Sequence, residues 1–308
     1  MQAQRRELGD GRWHFQHGPI DLIIAADGEP ESVSAAHSRC WARFGGVLPE
    51  LVQELSLLRE PLRRDVAQKD CPCRGRIAQR MWEAAWPYRC QYVTPMVAVA
   101  GSVAAELISC YRHPGIRRAL INNGGDIAFH LTPGESYRVA VCAEPEATLA
   151  GRKSWDAWLD LKAEGAIRGV ATSGWRGRSF SLGIADAVTV LAADAGVADA
   201  AATMVANAVD VASPQVVRQP AASLKDDSDL GELLVTVEVK PLTQAEVAEA
   251  LNRGLECASR LQNCGTIAGA ALFLQGERRG LGAMRLHLAD GADRRVAPHG
   301  DPILDGVT

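Results

Sequence analysis

Two short blocks hold the residues whose types and spacing could do chemistry. Gly169-Val170-Ala171-Thr172-Ser173-Gly174 is a turn of small residues with two hydroxyls, which lets a ligand approach the backbone closely. Ala198-Asp199-Ala200-Ala201-Ala202-Thr203, read as helix, sets the Asp199 carboxylate and the Thr203 hydroxyl one turn apart on one face. Two oxygen donors so placed suit a hard cation such as Mg²⁺, which commonly completes its shell with water and a substrate phosphate. Plainer readings compete. A carboxylate in or near the first turn of a helix is favoured by the helix dipole, and a mid-helix threonine can bond back to its own backbone. Thr172 and Ser173 either meet a ligand or cap a strand end. Trp175-Arg176-Gly177-Arg178 sets two guanidiniums beside the turn, either to clamp a phosphate or carboxylate or to form a polar hairpin tip.

Strands must position the first block and a helix the second. Alternation and turn residues predict a hairpin from Trp13–Gln16 and Ile20–Ile24 around His17-Gly18-Pro19. Helical spacing follows over Glu31–Phe44 and Leu48–Leu58, with Gly45-Gly46 as the break, and over Arg74–Trp86. Thr94 and Pro95 suit the N-cap and first position of an apolar helix over Met96–Cys110. Strands are expected at Ala119–Asn122, Ile127–Leu131, Tyr137–Cys142, Ile167–Ala171 and Ala187–Leu191, with Asn123-Gly124-Gly125-Asp126 as a tight turn. The helix carrying Asp199 should run from about Gly196 to Val209. A polar loop at Lys225–Asp229 leads to a strand over Leu233–Lys240. Thr243 and Glu246 then form a capping box for a helix reaching Asn263. Ile267–Leu274 and Met284–Leu288 read as a final strand pair, and the tail from Asp290 as frayed.

Irregular alternation with several hairpins favours α+β architecture, with mixed or antiparallel sheets packed with helices, over a doubly wound sheet. The expectation is a single compact unit over residues 1–308. Its motif-bearing core lies at about 94–210, and a strand–helix–strand portion at about 231–289.

The 308 residues are 47% hydrophobic and 23% charged, with a formal net charge of −4. That balance argues against a nucleic-acid binder, which would show a basic patch or stripe. No membrane span is expected, and the polar N-terminus leads into no apolar signal region, so a cytoplasmic location is the default. The eight cysteines read as free thiols of a reducing compartment. Cys71-Pro72-Cys73, with Cys90 further on, has the look of half a metal site, but no second pair has the matching spacing, and a structural role is favoured. A homo-oligomer is left open, because the apolar helices could equally face another subunit.

Taken together, several stretches resemble the ApbE family of flavin transferases. Ile121-Asn122-Asn123-Gly124-Gly125-Asp126-Ile127 is similar to that family's V-N-x-G-G-D-I turn. Val170-Ala171-Thr172-Ser173-Gly174 matches its V-A-T-S-G, and Ala198–Thr203 resembles its A-D-A-x-A-T helix. Ala98–Ala104 is a weaker match to A-I-A-K-G-Y-A. The four occur in the family's order over about residues 94–210. The resemblance implies an ApbE-like fold with an FAD site, and Mg²⁺ held by Asp199, Thr203 and a backbone carbonyl near Ala98–Ala100. It implies ligand contacts from Asn122, Gly124, Gly125, Asp126, Thr172, Ser173 and Gly174, with Arg176 and Arg178 as anion partners.

Two departures stand out. After V-A-T-S-G the family carries a histidine loop, H-x-x-D-P-x-T-G, whereas Phe180–Ile184 here runs straight into Ala185–Val190. The lysine of A-I-A-K-G is Gly101. The chain is therefore closest to a soluble subfamily beside the flavin transferases that lacks the histidine loop, and the absence of that loop argues against true FMN transfer. Asp186 sits where the loop would be, either as a base in the same cleft or as a solvated strand-entry residue. Two functions stay open: a Mg²⁺-dependent enzyme for a flavin or related pyrophosphate nucleotide, and an enzyme or binding protein for a small acidic metabolite in the same cleft.

Overall fold

The computed structural model describes residues 2–141 and 157–284. Cys142, the expected strand beyond Met284 and the tail from Asp290 lie outside the described residues.

β1 (Gln4–Glu7), β2 (Trp13–His17) and β3 (Ile20–Gly28) open the chain as a meander. A 24-residue helix, α1 (Pro30–Gln53), then runs straight through Gly45-Gly46, where the sequence predicts a break. Two glycines cost about 2 kcal/mol of helix propensity, and the buried stripe of Ala36, Cys40, Phe44, Val47 and Leu51 offsets it. A short turn, α2 (Leu55–Leu58), and α3 (Arg76–Ala85) follow.

Pro95–Ala98 forms a 3-10 turn before α4 (Val99–Leu107), and a second 3-10 turn spans Ile108–Tyr111. Thr94 does not cap this segment; its hydroxyl donates to Asp229 instead.

β4 (Ile116–Asn123) and β5 (Asp126–Leu131) form a hairpin through Gly124-Gly125. Both glycines adopt positive φ, 65° and 108°, as the twist of a two-residue hairpin turn demands. β6 (Ser136–Val141) pairs β7 (Ala157–Lys162) in a separate ribbon. β8 (Gly169–Ser173) and β9 (Ala187–Ala192) precede α5 (Ala195–Ala208). β10 (Val216–Pro220), the one-turn α6 (Ala221–Leu224) and β11 (Leu234–Val239) form a second ribbon.

The predicted capping box is present at the start of α7 (Gln244–Asn263). β12 (Gly269–Leu274) pairs β13 (Glu277–Gly282), a strand that the sequence reading does not anticipate. Gln275-Gly276, with positive φ at both residues, closes this hairpin directly.

Nine strands form one antiparallel sheet in the order β1-β2-β3-β4-β5-β8-β9-β12-β13. This is the α+β architecture of antiparallel sheet and helices that the hairpin-rich pattern implies. Alternate residues along the strands belong to different core clusters. Ile24, Ile121 and Ala128 pack with α1, α3 and α4, and Val188 and Val190 with α5 and α7. Leu120, Phe129, Val170 and Leu191 face away from the helices, toward the β6–β7 ribbon. The strict two-residue period therefore decides which polar strand residues can reach the helices.

Candidate carboxylate site between sheet and helix

Helix α5 lies against β8 and β9, and its first turn is wedged between two glycines. A Cβ on Gly169 of β8 would sit 2.4 Å from Ala195 Cα, and one on Gly101 of α4 would sit 2.2 Å from the Ala195 carbonyl oxygen. Asp194 caps the helix by accepting from the Gly196 and Val197 amides. Asp199 consequently lies a full turn inside the helix, and the helix-dipole explanation of its carboxylate does not apply to it.

The Asp199 side chain is buried, and its Oδ2 accepts from the Gly101 amide at 2.9 Å. Burial pushes its pKa up to about 7, against the lowering effect of the Gly101 and Ala100 amides. Asp126 starts β5 on the helical face of the sheet, in phase with Ala128, and is also buried. Its pKa is raised well above the carboxylate range, first by burial and then by the Asp199 charge, with the Thr172 amide and Arg178 acting in the opposite sense. That amide donates to Asp126 Oδ1 at 3.3 Å. Two buried carboxylates facing one another are costly unless a cation joins them.

The remaining predicted residues separate into three groups. Thr203, one turn after Asp199, donates from Oγ1 to Ser173 Oγ at 3.3 Å, so the two sequence blocks do meet. Ser173 is in phase with Ala171, on the helical face. Arg178 also belongs here: its guanidinium lies over the hairpin turn, 2.7 Å from where a Cβ on Gly124 would be.

A second group braces the frame. Asn122 Oδ1 accepts from the Gly125 amide at 2.8 Å and so holds its own turn. Thr172 is in phase with Val170 on the far face, where its hydroxyl pairs with Thr189 at 2.9 Å; only its backbone amide serves Asp126. Gly174 allows close passage of the chain, since a Cβ there would lie 2.4 Å from the Asp186 carbonyl oxygen.

The third group is a cluster of its own around Asp186. Its Oδ1 accepts from the Trp175 indole at 3.2 Å and pairs with Arg176 at 3.1 Å, and its Oδ2 accepts from the Gln275 amide. Arg176 also stacks on the Trp175 ring, 5.2 Å from its centroid. Both Asp186 oxygens are engaged by donors, as a structural tie between β9 and the β12–β13 turn would require.

Sequence reasoning missed two participants. Asn123 donates from Nδ2 to the Ala100 carbonyl at 3.0 Å and so links the hairpin turn to α4. Its phase with Ile121 was the available signal. Gly101 is the second: a side chain there would meet Ala195 and, at 2.8 Å, Asp199 Cβ. The family's lysine has no room in this packing.

Phe180–Asp186, which replaces the histidine loop, is bound to the end of α5. Asn207 Oδ1 accepts from the Leu182 amide at 2.9 Å, and the Ile184 amide donates to the Val209 carbonyl at 2.8 Å. Elsewhere, Cys71 and Cys73 are free thiols and Cys90 is exposed. Among the described residues no group of three or more His, Cys, Asp or Glu side chains is arranged to hold a metal. Also among them, no helix is long and apolar enough to cross a membrane.

An antiparallel sheet with helices packed on it, and a paired carboxylate site between a glycine hairpin and an A-D-A-x-A-T helix, define an ApbE-like protein. The chain belongs to the family described as AbpE bacteria, whose model matches residues 4–284. It is 34% identical over 171 residues to a UPF0280 protein of Methanothrix thermoacetophila, covering 51% of this chain and 65% of the relative. Against a UPF0280 protein of Methanosphaerula palustris it is 34% identical over 202 residues, 64% of this chain and 77% of the relative. The chain spans less than two thirds of the length of the first of these. A solved structure, the ApbE protein from Thermotoga maritima, overlays with a TM-score of 0.44 at 12% identity, covering 90% of this chain and 96% of that one.

Proposed function

We propose that the cleft between β5, β8 and α5 binds a flavin or a related pyrophosphate nucleotide through a Mg²⁺ ion. Asp199 and Thr203 would hold the ion, with Asp126 as the second carboxylate. The observation that carries this reading is the buried Asp126–Asp199 pair. Its oxygens are hard donors, the positive charge acting on it among the described residues is the Arg178 guanidinium, and a divalent ion would compensate it. Once bound, such an ion supplies neutralisation of pyrophosphate oxygens and of charge on a leaving group.

The chain's own residues supply the rest. The Gly101 amide fixes the direction of the Asp199 carboxylate, and the Thr172 amide fixes that of Asp126. Ser173 orients the Thr203 hydroxyl, and Arg178 at the glycine turn is placed to pair a phosphate oxygen.

FMN transfer is not part of this proposal. The place of the histidine loop is taken by a segment whose backbone is tied to α5, and position 101 admits no lysine. The alternative, turnover of a small acidic metabolite with Asp186 as base, is disfavoured because donors occupy both Asp186 oxygens.

Titration of the protein with FAD and with ADP, with Mg²⁺ and with EDTA, tests the reading by calorimetry. Binding that needs Mg²⁺ and is lost in Asp199→Asn is the expected result. Metal-independent binding, or none, sinks it. AMP release from FAD in the presence of a Ser/Thr-containing acceptor would restore transfer to the picture.

A further inference from the structure

Away from the carboxylate site, Cys40 on α1 and Cys110 in the turn after α4 pack in one cluster, close enough for each thiol to act on the other. Neither is in a disulfide. Their neighbours fix the approach. One turn before Cys40, His37 Nδ1 lies 2.7 Å from the hydroxyl of Tyr111, the residue after Cys110. Arg39, the residue before Cys40, donates to the Cys110 carbonyl at 3.3 Å. Two hydrogen bonds between adjoining residues therefore hold α1 and this turn in one register. Cys40 is fully buried, whereas Cys110 is partly open to solvent.

We propose that Cys40 and Cys110 form a reversible disulfide, a modification site that reacts by exchange with a low-molecular-weight disulfide such as glutathione disulfide. The Cys110 thiolate attacks one sulfur of the small disulfide. That S–S bond breaks, a mixed disulfide forms on Cys110, and one small thiolate leaves. The Cys40 sulfur then attacks the Cys110 sulfur and expels the second small thiolate, which takes up the Cys40 proton. Two protein thiols are oxidised to one disulfide, and one small disulfide is reduced to two thiols.

The surroundings assign the two roles. Contact with Cys40 brings the Cys110 thiol down to about 7, against its partial burial, which favours the attacking thiolate. The same contact and full burial raise Cys40 well above the thiol range, as suits a group that reacts only with its neighbour. Cys71 and Cys73 also interact, but only Pro72 separates them along the chain, and a disulfide there would constrain the unfolded state far less.

The test uses the full-length protein equilibrated in glutathione/glutathione disulfide buffers, quenched with acid, digested and mapped by mass spectrometry. The expected product is a peptide pair cross-linked through Cys40 and Cys110 and released by dithiothreitol. The oxidised protein should melt about 5 °C higher. Cys110→Ser, at the partly exposed position, should lose both the cross-link and the shift, and Cys71→Ser should keep both. Lasting glutathionylation of Cys110 with Cys40 free, or no reaction at this pair in buffers that oxidise Cys71 and Cys73, overturns the proposal. None of these outcomes depends on what the carboxylate site binds.

Discussion

Asp126 and Asp199 stand on different elements, β5 and α5, yet their carboxylates are close enough for the charge of one to raise the proton affinity of the other. Each is at least nine-tenths buried and each is steered by a backbone amide, Thr172 for Asp126 and Gly101 for Asp199. A pair built this way is unfavourable in the empty protein and favourable around a cation. The cost that the fold bears is therefore concentrated at this one pair.

Replacing either member by its amide should expose that conflict. Asp126→Asn keeps an oxygen for the Thr172 amide and removes one of the two like charges. The ion-free variant should be more stable than wild type by about 1–2 kcal/mol at pH 8, measured by urea denaturation. Its Mg²⁺-dependent stabilisation should disappear. A variant that is less stable without metal and still stabilised by Mg²⁺ would show that the two carboxylates do not oppose one another.

Gly101→Ala tests the crossing of α4 and α5. The added methyl would fall 2.2 Å from the Ala195 carbonyl oxygen, a backbone atom that cannot step aside without moving the helix. We expect a loss of about 2–3 kcal/mol in denaturant melts, and a larger loss for Gly101→Lys. Gly125→Ala offers the contrast: no atom lies near its Cβ, and the penalty there is only that of positive φ.

How much of this could be read from the chain divides along a physical line. Local signals worked: the Thr243/Glu246 capping box, the Gly124-Gly125 turn and the two strands that flank this turn appear where the sequence places them. Signals that depend on packing did not. Gly45-Gly46 fails to break α1 because the buried stripe through Phe44 and Val47 outweighs glycine's weak propensity. Within the candidate site, the motifs name residues that the fold brings near one another, such as Thr203 and Ser173, but do not give their facing. Thr172 and Ser173 are equivalent as letters, yet only Ser173 is in phase with the helical side, and Asn123 rather than Asn122 reaches α4. Those distinctions rest on register, which a motif does not encode.

Arg176 and Arg178 share a motif but not a role, and two substitutions separate them. Arg178→Ala removes the guanidinium over the glycine turn and should weaken binding of a phosphate ligand about tenfold or more in calorimetric titrations. Removing it also takes the compensating charge from Asp126, so a loss of about 1 kcal/mol of unfolding free energy should accompany the weaker binding. Arg176→Ala strips a partner from the buried Asp186 carboxylate and should lower stability by about 1–3 kcal/mol, with ligand affinity little changed. The reverse pattern would move the anion site to Asp186.

His37 gives the fold a pH dependence that is independent of any ligand. Its ring is buried between α1 and the turn after α4, with Nδ1 bonded to the Tyr111 hydroxyl and the Trp13 ring 5.9 Å away. Burial lowers its pKa from 6.5 to about 4, so between those values the unfolded chain binds a proton that the folded chain refuses. Stability is then fully present above pH 6.5 and falls as the pH drops toward 4, by roughly 2 kcal/mol for this one residue. Urea midpoints at pH 7 and pH 4.5 measure the fall. His37→Gln, which keeps a polar partner for Tyr111 but cannot titrate, should flatten that part of the profile, whereas an unchanged slope would assign the acid sensitivity to other groups.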